Sequence, residues 1–126
     1  MPSRESPLFA RTYDLLRWLI PLTVKFPREQ RFVLASAVQR SALCFHERLI
    51  EAAHVESGAL ATALTRADAE LDILRHYMRL CHDLHLLTIG QYEHATERLS
   101  EIGRLLGGWH KASDRGQARS KDDREE

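Results

Sequence analysis

This chain carries few of the features that announce a chemistry. Its two cysteines, Cys44 and Cys81, among 126 residues are too few for a disulfide framework or a four-cysteine metal cage. Both stand in apolar helical contexts, which reads as reduced core thiols rather than a bridge. Net charge is missing too, because 18 basic side chains face 18 acidic ones. That removes the diffuse positive field that draws many proteins to nucleic acid, although local patches can still bind phosphate. The longest apolar run, Leu15 to Val24, contains Arg17 and Pro21 and falls short of the ~20 residues that span a bilayer. Met1 to Pro7 is largely polar and shows no leader pattern, so a soluble cytoplasmic protein without membrane contact is expected. A glycine-rich phosphate loop, a nucleophile elbow and an aspartate-rich metal cluster are all missing. The chain therefore reads as non-catalytic and cofactor-free.

What the chain does have is helical periodicity. Leu60, Leu64, Ala67, Leu71, Leu74, Met78 and Cys81 follow at alternating three- and four-residue spacing. Ile73, Tyr77, Leu80, Leu84 and Leu87 form a second stripe beside them. The polar residues Asp72, His76, Arg79 and Asp83 lie away from both. Such a helix has a broad apolar face built to sit against other helices.

The neighbouring segments read alike. Residues 1–7 form a loose arm. A first helix from about Leu8 to Val24 puts Leu8, Leu15, Leu19 and Leu22 on one side, widened by Trp18 and Ile20, with a kink expected at Pro21. Phe26-Pro27 ends it and opens a second helix from about Pro27 to His54. Leu34, Val38, Phe45, Leu49 and Ala52 are the inner stripe of that helix, with Ala35, Ala42 and Ala53 as small neighbours.

Val55 to Ala59, with Gly58, reads as the one longer connection. The third helix starts between Gly58 and Thr65, where Thr65 with Asp68 offers a cap for a later start, and it ends near Leu86. Thr88-Ile89-Gly90-Gln91 fits a capping box, flanked by Leu87 and Tyr92 as a hydrophobic staple. The fourth helix carries Ile89, Tyr92, Thr96, Leu99, Ile102 and Leu106 inward. Gly107-Gly108 terminates it and Trp109 packs back just beyond. Residues 113–126 read as a disordered charged tail. The bundle thus covers 8–112, and its fold class is all-α, an up-down-up-down four-helix bundle. The alternative is a pair of helical hairpins that completes its core only by oligomerising.

Candidate sites are sparse. His82 and His85 lie three apart with Cys81 and His76 nearby, but zinc needs further ligands from elsewhere. His46-Glu47 begins a zincin-like pattern that fails at Ile50. His54, His82, His85 and His110 fall near expected helix C-termini, where a partly cationic side chain is favoured. Glu93, Glu97 and Glu101 line one face of the fourth helix off the apolar stripe, as a solvated or partner-facing acidic row. Charge is polarised along the chain: seven basic residues against four acidic ones from Leu8 to His54, six against eight from Val55 to Lys111. One side could meet phosphates and another a basic partner, or both could be solvated helix faces.

Some segments are familiar together: Tyr13-Asp14-Leu15-Leu16-Arg17-Trp18-Leu19-Ile20-Pro21, Lys25-Phe26-Pro27-Arg28 and Gln30-Arg31-Phe32-Val33-Leu34. The second half adds Leu74-Arg75, Arg79-Leu80, Asp83-Leu84, Leu86-Leu87, Gln91-Tyr92-Glu93 and Glu101-Ile102-Gly103-Arg104-Leu105-Leu106-Gly107-Gly108-Trp109. From about Tyr13 to Lys111 the chain resembles the accessory variability determinant (Avd) proteins of diversity-generating retroelements. Their wider family includes four-helix proteins encoded within 23S ribosomal RNA intervening sequences. The resemblance implies a four-helix bundle assembling into a homo-pentameric barrel. It implies a non-catalytic accessory role: binding the retroelement reverse transcriptase and its template RNA, or the cDNA copied from it, in support of mutagenic cDNA synthesis. Members of that family tend to be basic, whereas this chain is neutral. The expected nucleic-acid or partner contacts are Arg17, Lys25, Arg28, Arg31, Arg75, Arg79, Arg104 and Lys111. Arginine suits phosphate and carboxylate through its rigid fork of donors. The rival reading is a homo-oligomeric scaffold of the intervening-sequence type that binds no nucleic acid.

Overall fold

The computed structural model describes residues 6–125, with side chains described through Gly116. The described residues form helices and no strand: α1 (Pro7–Val24), the short α2 (Arg28–Gln30), a π-helical turn (Arg31–Ala35), α3 (Ser36–His54), α4 (Ser57–Asp83) and α5 (Ile89–Glu125). The four long helices pack in chain order, and α1 closes against both α3 and α5. The neighbours run antiparallel. The Phe9 and Trp109 rings meet at 6.4 Å, and those of Trp18 and His94 at 4.6 Å.

Pro7 opens α1 at a position where its missing N–H costs nothing. The helix buries Leu8, Phe9, Thr12, Leu15, Leu16, Leu19 and Thr23. The two threonines satisfy themselves: Thr12 Oγ1 donates to Leu8 O at 2.8 Å and Thr23 Oγ1 to Ile20 O at 2.9 Å. Gln39 Nε2 of α3 then donates to Thr23 Oγ1 at 2.9 Å, tying the two helices together. Pro21 lies inside α1 on its exposed side. The buried stripes of α3 (Val38, Phe45, Leu49, Ala52) and α4 (Leu64, Ala67, Leu71, Leu74, Met78, Cys81) interlock in one apolar cluster. The single chain therefore builds its own core, without the help of a second hairpin pair.

Several boundaries differ from the expectation. The long connection shrinks to Val55 and Glu56, because α4 starts at Ser57. Gly58 is simply helical, and Thr65 sits mid-helix with its hydroxyl donating to Ala61 O at 2.9 Å. At the other end α4 stops at Asp83 rather than Leu86. The stop is a Schellman motif: Leu86 N donates to Cys81 O at 2.9 Å and His85 N to His82 O at 3.0 Å. His85 takes the left-handed conformation (φ 61°) that glycine usually fills. The Thr88 capping box is present. Thr88 N donates to Gln91 Oε1 at 2.9 Å, and Gln91 N to Thr88 Oγ1 at 3.1 Å.

Gly107-Gly108 does not end α5. Each glycine costs a helix about 1 kcal/mol relative to alanine, too little to break one whose other face is packed through Leu106 and Trp109. The helical backbone continues to Glu125, into the segment expected to be a disordered tail. Of the expected N-terminal arm, Met1 to Glu5 lie outside the described residues. Two positions expected inward on α5 face out: Ile89 is 70% exposed and Thr96 is also exposed, while Ala95 takes the buried place.

Candidate functional site

The π turn rearranges the corner between α1 and α3. A regular helix through Leu34 and Val38 would carry Arg31 inward, one turn before Leu34. Here Ser36 N reaches back to Arg31 O, five residues away, and the wider turn rotates Arg31 out. Arg31, Phe32 and Val33 are consecutive and all exposed, Phe32 at 87% and Val33 at 66%. Arg31 Nε donates to Phe26 O at 3.2 Å, which fixes the base of its side chain. Phe26 itself is buried beneath the corner.

The expected contact residues separate into three places. Lys25, Arg28 and Arg31 ring this corner, and Arg17 lies two turns back along α1; all four are exposed. Arg75 and Arg79 line a groove of about 280 Å³ between α4 and α5, with His76, Tyr92, Thr96 and Ser100. Arg104 and Lys111 are exposed on α5, seven residues apart, toward the opposite end. The eight do not form one patch.

Arg75 also has a partner within the chain. It is half-buried, its Nη2 donates to Leu99 O at 3.4 Å, and the guanidinium lies over Gly103, where a side chain would collide with it. Arg79, by contrast, is exposed beside it. Among the acidic row, Glu101 pairs with Arg11 of α1 at 2.8 Å, while Glu93 and Glu97 remain exposed.

The second stripe of α4 is the larger departure. Of its five members only Leu87 is buried and Tyr77 half-buried; Ile73, Leu80 and Leu84 are 44%, 42% and 48% exposed. The chain thus shows an apolar row on the outside of its own bundle. Ile73, Leu80 and Leu87, and likewise Tyr77 and Leu84, repeat at heptad spacing, which marks the row as apolar without saying which surface covers it. The exposure of Phe32 had no such signal, because the π turn that causes it is not encoded in a periodicity.

Among the described residues, no three or more His, Cys, Asp or Glu side chains are placed to hold a metal ion. His82 stacks on Tyr92 (4.3 Å) with Nδ1 3.2 Å from Asp83 Oδ1. His76 accompanies Asp72 on one face of α4, with Nδ1 2.8 Å from Asp72 O. Both cysteines are free thiols; Cys81 is fully buried, and burial pushes its pKa up to about 11. The half-buried His46 has a lowered pKa from desolvation, opposed by the charge of Glu47, and its Nδ1 has no hydrogen-bond partner among the described residues. Among the described residues, no helix is long and apolar enough to cross a membrane.

The fold is an antiparallel four-helix bundle with dispersed polar groups and a half-exposed apolar row on α4. The chain belongs to the bAvd-like family, whose model matches residues 8–113, the whole bundle. That membership agrees with the resemblance carried by the Trp18-to-Pro21 and Gly107-to-Trp109 segments, and points to an accessory protein of the Avd type. No curated protein matches the chain.

Proposed function

We propose that this protein is a non-catalytic accessory subunit of a diversity-generating retroelement, acting as a cytoplasmic homo-oligomer, a pentamer in the family's manner. It binds the reverse transcriptase and the template RNA, or the cDNA copied from it, and supports mutagenic cDNA synthesis. Membership in the bAvd-like family over residues 8–113 is the observation that carries this reading. The exposed row Ile73, Leu80 and Leu84 supports self-association, since apolar rows of this kind mark protein interfaces. Arg17, Lys25, Arg28, Arg31, Arg79, Arg104 and Lys111 offer exposed charge for RNA phosphates or partner carboxylates, and the half-buried Arg75 lines the groove beside Arg79 and can add the donors it does not use on Leu99.

A tagged pull-down from the native host, with both protein and RNA identified, tests the reading. Co-purification of a reverse transcriptase with one discrete RNA is the expected result. The zero net charge favours a second reading, the oligomeric scaffold without nucleic acid. Recovery of the chain alone as an oligomer whose assembly is insensitive to salt would establish that alternative, because phosphate binding weakens steeply with salt.

A further inference from the structure

Phe32 is the most exposed large apolar side chain among the described residues, at 87%. It stands at the π turn, and π turns inside helices recur at functional sites. Its surroundings have a definite chemistry. Between Val24 and Val33 there are three cations, Lys25, Arg28 and Arg31, against one carboxylate, Glu29. Among the described residues none of the three cations is ion-paired. This is a local surplus of positive charge in a chain whose total is zero. Arg31 uses Nε on the Phe26 carbonyl, which leaves the two terminal nitrogens of its fork to an incoming acceptor. An exposed aromatic ring among unpaired cations is the arrangement by which proteins hold single-stranded nucleic acid: bases stack on the ring and phosphates meet the cations. A purely apolar protein contact would leave the positive charge around the ring without a complement, whereas a nucleic acid supplies one.

We propose that Phe32 stacks on an unpaired base of single-stranded RNA while Lys25, Arg28 and Arg31 hold the flanking phosphates. The inference rests on the RNA-binding part of the function proposed above and names the place and the strandedness. Duplex RNA keeps its bases stacked within the helix and gives Phe32 nothing to stack on. The π turn is what makes the site, since it turns Arg31 outward beside Phe32.

The test uses the full chain and a fluorescein-labelled oligouridine of twelve nucleotides, followed by fluorescence anisotropy at several salt concentrations, with an RNA duplex of the same length alongside. Phe32→Ala should weaken oligouridine binding about tenfold and leave duplex binding within about twofold. Its salt slope should match the parent's, because no cation is removed. Phe32→Trp should restore the affinity. Lys25→Ala and Arg28→Ala should each lower the salt slope by about one. Circular dichroism guards the comparison. Equal oligouridine binding by Phe32→Ala and the parent overturns the inference and leaves the proposed function standing. A parent that binds no RNA overturns both. If Phe32→Ala keeps oligouridine but loses the reverse transcriptase in a pull-down, the corner docks protein and the inference is also overturned.

Discussion

Replacing His85 by glycine should make this protein more stable, although it removes a side chain and adds none. His85 occupies the C′ position of the Schellman motif that ends α4, with φ 61°. A non-glycine residue in that region costs about 1–2 kcal/mol from the crowding of Cβ against the next carbonyl. Histidine is one of the residues that tolerates it better, so the lower part of that range applies. Glycine removes the crowding but brings more freedom to the unfolded chain, worth about 0.5–1 kcal/mol in the opposite direction. The His85 side chain is exposed, so little packing is lost. The net expectation is a gain of about 0.5 kcal/mol. At about 2.1 cal/mol/K of unfolding entropy per residue, that raises the melting temperature by about 2 °C. Both Schellman hydrogen bonds are made by backbone groups and survive the change. His85→Ala, which keeps Cβ and loses only the ring, is the control and should not gain. Thermal unfolding followed by circular dichroism at one fixed protomer concentration reads the difference, since any self-association would make the midpoint depend on concentration. A His85→Gly variant equal to or below the parent would mean that the ring, rather than the backbone, holds the corner.

Thr88→Ala removes the hydroxyl that caps Gln91 N and should cost about 1 kcal/mol in chemical denaturation; no loss would show that the box is not needed to start α5. Gly103→Ala should be close to neutral alone, because the helical gain of about 1 kcal/mol is offset by displacing the Arg75 guanidinium from Leu99 O. In an Arg75→Ala background the same change should be stabilising, and additivity of the two substitutions would refute the contact. If the chain self-associates through α4 as proposed, Leu80→Asp with Leu84→Asp should leave helicity intact and lower the molar mass in light scattering to that of the monomer; an unchanged mass would refute that surface. With its pKa raised to about 11 by burial, Cys81 should resist alkylation at pH 8 while the half-buried Cys44 reacts. Because the folded pKa lies above the unfolded one, stability should fall as pH climbs from about 9 toward 11, and Cys81→Ser should weaken that slope. Equal alkylation of the two thiols would mean that the core opens readily.

The buried stripes of α3 and α4 were legible residue by residue, from Leu34 through Ala52 and from Leu64 through Cys81, because burial repeats with the helix. The Thr88–Gln91 box was legible because its chemistry is local. Three things were not. The second stripe of α4 reads as core by hydrophobicity alone; whether an apolar row faces the same chain or another depends on how far the neighbouring helices reach around it. Gly107-Gly108 reads as a stop, yet packing of Leu106 and Trp109 outweighs a weak propensity. Histidine at a left-handed corner hides a helix end that glycine would have marked. The candidate contacts were chosen by resemblance, and only their placement distinguishes the half-buried Arg75, bonded to Leu99 O, from the exposed Arg79 beside it.

The π turn also acts as a phase adjuster. Anywhere in α4, loss of one residue would rotate every later side chain by about 100° and turn the core outward. Between Arg31 and Ala35 the helix already holds one residue more than a regular turn needs. A single deletion there would tighten the π turn to an α turn and leave the faces on both sides where they are. A one-residue deletion at this corner would therefore cost the fold little, yet it would redraw which side chains the corner presents.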